Sequence, residues 1–507
     1  MNKVLLETLA AGAGLAAGTG LAALAHSATK TRPGTPARGD RGAPYEAVEA
    51  YIQGEMRRLK IPGVSLAIVQ GDQIVHRRGF GRARPGGEVP TPQTPFFIGS
   101  LTKSVTALAV MQLVEAGKVE LDAPVQRYLT WFRVADPVAS AGVTVRHLLN
   151  QTSGLPESAG ELDEYDESHD AGERQARALV SLNLIHPPGS TVEYCNMNYV
   201  LLGLIVEAAS SASYEDYIQQ HILAPLGMDH TYTSRAAARE NGLAMGHRYW
   251  FGFPVAQPDL PFPRGGIAAG QLISTTEDMA HWLIAHMNEG RYGDGRVLSA
   301  EGIEALHCGA VEYRKMGISA GKYAMGWLDT ELGQTRIVWH TGTVPDFEGY
   351  MAILPEQKTG VVLLFNACHW WFNPVYIDLG MHVAALLAGE PHKPTAFGPL
   401  VPWMLRGQLL IPAFQVGDVV ATMWLLRGGR RRDSAKDKGV LAVLLPLVPN
   451  LLIALTLKSM LGRRRGYLKL YMPDYSWIAT ICGSFSLVWS FLRTALVLRA
   501  LKGPSSR

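Results

Sequence analysis

The sequence predicts an α+β fold: an antiparallel-sheet α/β sandwich with a helical subdomain, followed by a three-helix transmembrane module. Three observations carry that prediction. Short β-rich segments stand at both ends of a long helical middle, which sets one sheet beside a layer of helices. Three apolar runs follow toward the C-terminus, each close to the ~20 residues that cross a hydrocarbon core. The chain has 507 residues, too many for one ordinary domain.

Taken in order, residues 1–28 carry Lys3, a small and apolar stretch from Ala10 to Ala25, and the end Ala23-Leu24-Ala25-His26-Ser27-Ala28. That pattern reads as a secretory signal peptide with an A-x-A-like cleavage site; Glu7 keeps an uncleaved anchor as the alternative. Residues 29–44 are rich in Pro, Gly, Arg and Thr, as a flexible linker is. Pro44–Lys60 reads as a helix, and Val64–Gln70 with Gln73–Gly79 as a hairpin about Gly71-Asp72. Leu101–Ala116 is strongly helical, and the middle of the chain is mostly helical too, with Ser274 as a cap and Glu277 three residues on. Tyr323–Leu328, Arg336–Trp339, Glu348–Leu354 and Thr359–Asn366 read as strands, and Val375–Ala388 as a closing helix. The expected spans are 407–426, 439–457 and 475–492, within a transmembrane domain of residues 400–502.

The net charge of +3 hides an asymmetry. From Leu400 onward there are 16 Lys and Arg against 4 Asp and Glu, a charge of +12, which leaves −9 for the rest. A basic tail can signal nucleic acid, but these charges flank apolar runs, so the expected partner is a lipid bilayer and not nucleic acid. The loop Arg427–Lys438 holds six basic residues and reads as cytoplasmic. Together with the signal peptide, it places residues 45–392 on the extracytoplasmic side of a multi-pass cell-membrane protein. Arg463-Arg464-Arg465 and Lys469 run against that topology. Asp418 and Asn450 fall inside expected spans, where polar groups bond other helices or face a cavity. The four cysteines are far apart, imply no disulfide framework, and leave Cys308 and Cys368 as the one pair that could bond. No metal-binding pattern is present, and neither metal nor cofactor is expected.

The chemistry starts at Ser100-Leu101-Thr102-Lys103. A serine at the first turn of a helix offers a backbone N–H and a favourable dipole to a developing negative charge. The lysine three residues on shares its face, and a buried amine that has lost its proton can take the serine proton. Alone, S-x-x-K equally describes a serine cap with a surface lysine. Two later motifs change the balance: Tyr194-Cys195-Asn196, and His340-Thr341-Gly342 at the end of the β-like run Thr335–Trp339.

This ordered set resembles the serine β-lactamase and penicillin-recognising hydrolase family, most closely its class C and esterase-like branch. The phrases Val145–Pro156 (VRHLLNQTSGLP) and Gly265–Ser274 (GGIAAGQLIS) are similar to that family as well. The resemblance spans residues 45 to about 390, making 45–392 a β-lactamase-like serine hydrolase domain. It implies Ser100 as nucleophile, Lys103 as proton acceptor or electrostatic partner, and Tyr194 as a second shuttle that protonates the leaving group. It implies further that Asn196 orients Lys103 and a substrate amide, and that the N–H groups of Ser100 and Thr343, the latter after His340-Thr341-Gly342, form the oxyanion hole. His340 departs from the lysine many relatives carry. A histidine near pKa ~6.5 is mostly neutral at pH 7, which weakens binding of a penicillin carboxylate and favours an esterase or peptidase.

The S-x-x-K domain followed by three spans resembles a narrower group, the peptidases that remove an N-acylated D-amino-acid prodrug motif from nonribosomal peptides, the colibactin-maturing peptidase among them. The expected partner is a small-molecule or peptide substrate outside the cytoplasm. An esterase, a β-lactamase and a D,D-carboxypeptidase or penicillin-binding protein are the enzymatic alternatives, and a slowly deacylating sensor of β-lactams or peptidoglycan fragments is the non-enzymatic one. The oligomeric state is left open.

Overall fold

The computed structural model of the protein describes residues 43–161, 165–315, 318–394, 398–428, 447–455 and 465–502. The expected signal peptide, most of the linker and the basic loop at 429–438 lie outside these residues. The chain divides into two compact units, one of residues 45–408 with 466–474, the other containing 409–465 and 475–507.

In the larger unit, helix α1 (Ala43–Leu59) precedes a hairpin of β1 (Gly63–Gln70) and β2 (Gln73–Gly81), turning at Gly71 with φ +63°. Helices α2 (Thr102–Glu115), α3 (Asn196–Ser210) and α4 (Thr276–Met287) form the backbone of the helical middle. Six strands return: β3 (Val311–Lys315), β4 (Ile318–Tyr323), β5 (Leu328–Leu332), β6 (Thr335–Val344), β7 (Phe347–Leu354) and β8 (Thr359–Phe365). Helix α5 (Asn373–Ala388) closes the body. The strands make one eight-stranded antiparallel sheet in the order β2-β1-β8-β7-β6-β5-β4-β3, so the first and last strands of the body, β1 and β8, pair as the second and third strands from one edge.

Both faces of the sheet are covered. Along β8, Val361, Leu363 and Phe365 pack with α1 and α5, while Val362 and Leu364 pack with α2 and α4. Side chains alternate faces along a strand, so a strand buried on both faces reads as a continuous apolar run. That is why β7 and β8 are buried along their whole lengths.

The expected elements need two corrections, and the open question of the cysteines is answered. Tyr323–Leu328 is not one strand: the chain turns there between β4 and β5, with Gly326 at φ +80°, where a Cβ would meet the Lys103 carbonyl oxygen at 2.8 Å. The cap of α4 is Thr275, which accepts from the Asp278 N–H, because Ser274 is engaged in a two-residue ladder with Phe96. Cys308 and Cys368 are unbonded; Cys308 is exposed, whereas Cys368 is buried with its thiol 3.5 Å from a Glu348 oxygen.

The second unit contains α6 (Leu410–Gly428), a helical stretch at 447–455, and most of α7 (Pro473–Lys502). Among the described residues one helix, over Pro473–Arg499, is long and apolar enough to cross a membrane, not the three expected. Gln415, Asp418 and Arg427 make α6 less apolar, and only 447–455 of the second expected span is described. Asp418 sits in a buried polar network. Its Oδ2 accepts from Asn450 Nδ2 and Trp489 Nε1, both at 2.9 Å, and its Oδ1 lies 3.3 Å from Arg493 Nε. Arg493 Nε also donates to Thr422 Oγ1 at 3.0 Å, and Gln415 donates to Ser486 Oγ at 2.7 Å.

Candidate active site

Two glycines bring the site together. Gly99 holds φ +55°, and a Cβ there would stand 2.5 Å from the Thr343 nitrogen. Gly342 closes from the other side, where a Cβ would stand 1.9 Å from the Ile98 carbonyl oxygen. Strand β6 can therefore lie against the short 3-10 turn Gly99–Leu101, which feeds α2. Ser100 is the middle residue of that turn, two residues before α2 begins at Thr102.

Lys103 follows on α2 and is completely buried. Its Nζ lies 2.8 Å from Ser100 Oγ, 2.8 Å from Asn196 Oδ1 and 2.6 Å from the Ala269 carbonyl oxygen. Burial lowers its pKa to about 7, with Cys195 opposing. The partner set matters. Asn196 Oδ1 and Ala269 O can only accept, whereas a serine hydroxyl can also donate. A neutral amine keeps two N–H bonds to the pure acceptors and turns its lone pair to the Ser100 hydroxyl.

Tyr194 stands beside this group, its ring 5.0 Å from Lys103 Nζ. Burial first, then Tyr323, pushes its phenol well above 10, and an interaction with the Ser100 hydroxyl opposes the shift. The ring is thus a proton donor and not a phenolate at neutral pH. The Tyr194–Asn196 loop is held from beneath by Gln151, a buried residue at φ +57°. Gln151 Oε1 accepts from the Cys195 N–H at 3.0 Å and from Asn198 Nδ2 at 2.5 Å, and Ser153 Oγ lies 2.6 Å from Asn198 Oδ1. This gives the Val145–Pro156 phrase its role, which is to support the second motif.

On β6, His340 is buried behind Tyr194, with ring centroids 6.4 Å apart. Its Nδ1 donates to the Thr341 carbonyl oxygen at 2.6 Å. Thr341 and Gly342 pair with Tyr350 and Gly349 of β7. Thr343 faces the Ser100 cleft; its hydroxyl donates to Glu348 Oε2 at 2.8 Å and accepts from Asn373 Nδ2 at 2.8 Å.

The cleft itself is small, about 50 Å³, with Ser100, Asn196, Thr343 and Gln271 in its wall. Lys103, Tyr194 and His340 stand behind that wall. Its lining also includes Glu161, Val344 and Tyr471. A larger hollow of about 680 Å³ lies elsewhere, by Asp72, Asn288 and Lys358, and contains none of the motif residues. Among the described residues no cluster of three or more His, Cys, Asp or Glu could hold a metal ion.

The structure thus draws Ser100, Lys103, Tyr194, Asn196 and Thr343 into one place. It sets His340 and Thr341 along the strand that leads there, not in the cleft. Sequence reasoning missed five residues. Gln151 and Gln271 lay inside phrases already singled out. Glu348, Asn373 and Tyr471 had no signal, because only the fold brings them to the site.

The fold agrees with known proteins. The Beta-lactamase family model matches residues 48–383. Protein flp of Staphylococcus aureus (strain MW2) is 28% identical over 323 residues, covering 63% of this chain and 63% of that protein. Unguisins hydrolase ungD' of Aspergillus campestris is 28% identical over 345 residues, covering 65% of this chain and 63% of that one. The chain thus spans less than two thirds of the length of these curated relatives. Among solved structures, the octameric penicillin-binding protein homologue from Pyrococcus abyssi matches at a TM-score of 0.59 and 32% identity, over 68% of this chain and 78% of that chain. An S-x-x-K turn set between a two-faced antiparallel sheet and a helical layer, within a family match covering most of the body, makes this chain a member of the beta-lactamase family, whose fold implies serine hydrolase activity.

Proposed function

We propose that this chain is a membrane-anchored serine hydrolase that cleaves an amide through an acyl-enzyme, as a D-amino-acid-specific peptidase activating a nonribosomal peptide prodrug. The observation that carries the reading is the buried Lys103 amine, its pKa near 7 and its lone pair available to the Ser100 hydroxyl. Ser100 Oγ attacks the carbonyl carbon while its proton passes to Lys103. The N–H groups of Ser100 and Thr343 receive the developing oxyanion. The proton then reaches the leaving nitrogen through Tyr194, the amide C–N bond breaks, and an ester to Ser100 remains. Water attacks that ester with Lys103 again as base, releasing the acid and the free serine.

The substrate preference rests on His340. A lysine there would supply a permanent cation for a penicillin carboxylate; the buried histidine beside Tyr194 is not a permanent cation. One relative is named for hydrolysing unguisins, which accords with a hydrolase reading. The similarity to a penicillin-binding protein homologue favours a second reading, a D,D-carboxypeptidase.

A multi-pass membrane module with the hydrolase on the extracytoplasmic side belongs to the same proposal. The Asp418 network supports several spans, since polar side chains inside a bilayer pair between helices. Residues 466–474, which carry Lys469, fold with the hydrolase body, which supports putting them on its side of the membrane despite their charge.

The test compares kcat/KM for a penicillin, a simple ester, N-acyl-D-Asn amides and an acyl-D-Ala-D-Ala peptide, with Ser100→Ala as control. The proposal expects the D-Asn amides to turn over fastest and Ser100→Ala to abolish turnover. Fast penicillin hydrolysis with no amide cleavage would return the chain to the β-lactamases, and preference for D-Ala-D-Ala would establish the second reading.

A further inference from the structure

The body expected from sequence ends with α5, yet one residue of the Ser100 cleft comes from far beyond it. Tyr471 lies in the segment between the second and third apolar runs, and it lines the same cleft as Ser100, Asn196 and Thr343. The segment 466–474 belongs to the hydrolase unit.

Its position is built, not incidental. Asp474 is completely buried. Its Oδ1 accepts from His369 Nε2 at 3.1 Å, and its Oδ2 accepts from the Phe251 N–H at 3.0 Å and from Gln408 Nε2 at 3.5 Å. His369 is also completely buried, and its Nδ1 accepts from the Trp371 N–H at 3.2 Å, which leaves Nε2 as the nitrogen that carries hydrogen toward Asp474. Leu470 and Met472 on either side of Tyr471 are each 5% exposed. The Trp370 ring meets the Tyr471 ring edge-on at 6.1 Å.

The latch and the oxyanion strand share one short stretch of chain. His369 holds Asp474, Trp370 meets Tyr471, and Asn373 donates to Thr343 Oγ1 at 2.8 Å. The segment is therefore fixed to the residues that position the Thr343 N–H. Tyr471 carries the bulkiest side chain among the residues that line this small cleft. Ser100, Asn196 and Thr343 cannot move without losing the chemistry, so the Tyr471 ring is the large, non-reacting part of the wall that a bulky substituent meets.

We propose that Tyr471 is a specificity-determining residue that limits the size of the acyl group reaching Ser100, and that the Asp474–His369 pair positions it. This deepens the serine-hydrolase reading and rests on it. The ring bounds the part of the acyl group that lies beside Ser100, and the segment 466–474 is tied to substrate choice through Asp474.

The experiment uses the full-length chain in detergent. Two fluorophosphonates, one with a methyl and one with an octyl chain, label Ser100, and the ratio of their labelling rates is read by mass spectrometry. Tyr471→Ala should raise the octyl-to-methyl ratio by about 10-fold or more, the effect of removing a steric clash worth ~1.4 kcal/mol. Tyr471→Phe, which keeps the ring, should keep the wild-type ratio. Asp474→Ala should move the ratio in the direction of Tyr471→Ala; a merely structural loss would slow both probes alike. Labelled Ser100 with an unchanged ratio in Tyr471→Ala overturns this proposal alone. No labelling of Ser100 in the wild-type chain overturns the serine-hydrolase reading and this proposal with it.

Discussion

Lys103 in the hydrolase body and Arg493 in the C-terminal unit are both buried, at 0% and 2% exposure, but they are accommodated in opposite ways. The hydrogen-bond partners of Lys103 Nζ are the uncharged oxygens of Ser100, Asn196 and Ala269. Arg493 faces the Asp418 carboxylate at 3.3 Å, and that carboxylate is itself bonded by Asn450 and Trp489. An arginine keeps its proton in any protein environment, so its buried charge must be paired. A lysine can give its proton up, so burial among neutral groups becomes a lowered pKa. The difference separates chemistry from architecture: the unpaired cation is the candidate base, and the paired one holds helices together.

The largest expected effect breaks the first half of that comparison. Lys103→Arg keeps the charge but removes the capacity to deprotonate at accessible pH. Labelling of Ser100 by a fluorophosphonate should fall by ~10²-fold or more, the usual worth of a positioned base. In the wild-type chain the same rate should rise with pH and level off above about 7, because only the neutral amine accepts the serine proton. Stability carries the matching sign. The folded pKa lies below the unfolded one, so between about 7 and 10.5 the unfolded chain holds the extra proton, and stability from this group grows as pH rises. Full activity in Lys103→Arg, or a flat profile from pH 5.5 to 8, would remove Lys103 as base.

The second effect addresses the paired cation. Asp418→Asn removes the carboxylate that Arg493 faces at 3.3 Å and should destabilise the C-terminal unit by ~3–5 kcal/mol. Adding Arg493→Met to that variant should recover much of the loss, since replacing both partners with uncharged groups removes the desolvation problem. Thermal unfolding in detergent reads both. A double variant as unstable as the single one would show that the pair is not the reason for the network.

Much of this was legible in the sequence, for a physical reason. Ser100, Lys103, Tyr194 and Asn196 sit in local motifs whose spacing survives whatever surrounds them, and apolar strands such as β8 announce a buried sheet. The β4–β5 turn was not legible, since Tyr323–Leu328 is apolar enough to pass for a strand and only Gly326 marks the bend. The cap at Thr275 in place of Ser274 depends on a ladder with Phe96, distant in sequence. Glu348, Asn373 and Tyr471 belong to the site through tertiary contacts alone, and no periodicity carries that information. The expectation of three membrane spans rests on composition, and among the described residues one helix, over Pro473–Arg499, is long and apolar enough to cross a membrane.

A third buried basic group sharpens the comparison by showing that burial without a counter-charge is not enough. His286 and His307 are 3% and 5% exposed, with His286 Nδ1 2.9 Å from His307 Nε2. Trp282 and Trp327 pack against His286 at 4.5 and 5.0 Å between ring centroids, and Trp327 also meets His307 at 5.3 Å. Burial, then its partner His307, holds His286 well below 6.5; burial, then Arg336, brings His307 to about 3, with Asp329 opposing. Like Lys103, these are neutral buried bases, but no lining residue of the Ser100 cleft is among their contacts. Their consequence is therefore stability alone. Both folded pKa values lie below the unfolded one, so as pH falls through 6.5 the unfolded chain takes up protons that the native state refuses. Each histidine should then cost about 1.4 kcal/mol of stability per pH unit until its folded pKa is reached. The drop in urea midpoint from pH 7 to pH 5 should be smaller in His307→Gln than in the wild-type chain, while Ser100 labelling at pH 7 stays the same. An equal drop in both chains would show that the pair is already protonated in the fold, and a loss of labelling would tie it to the site after all.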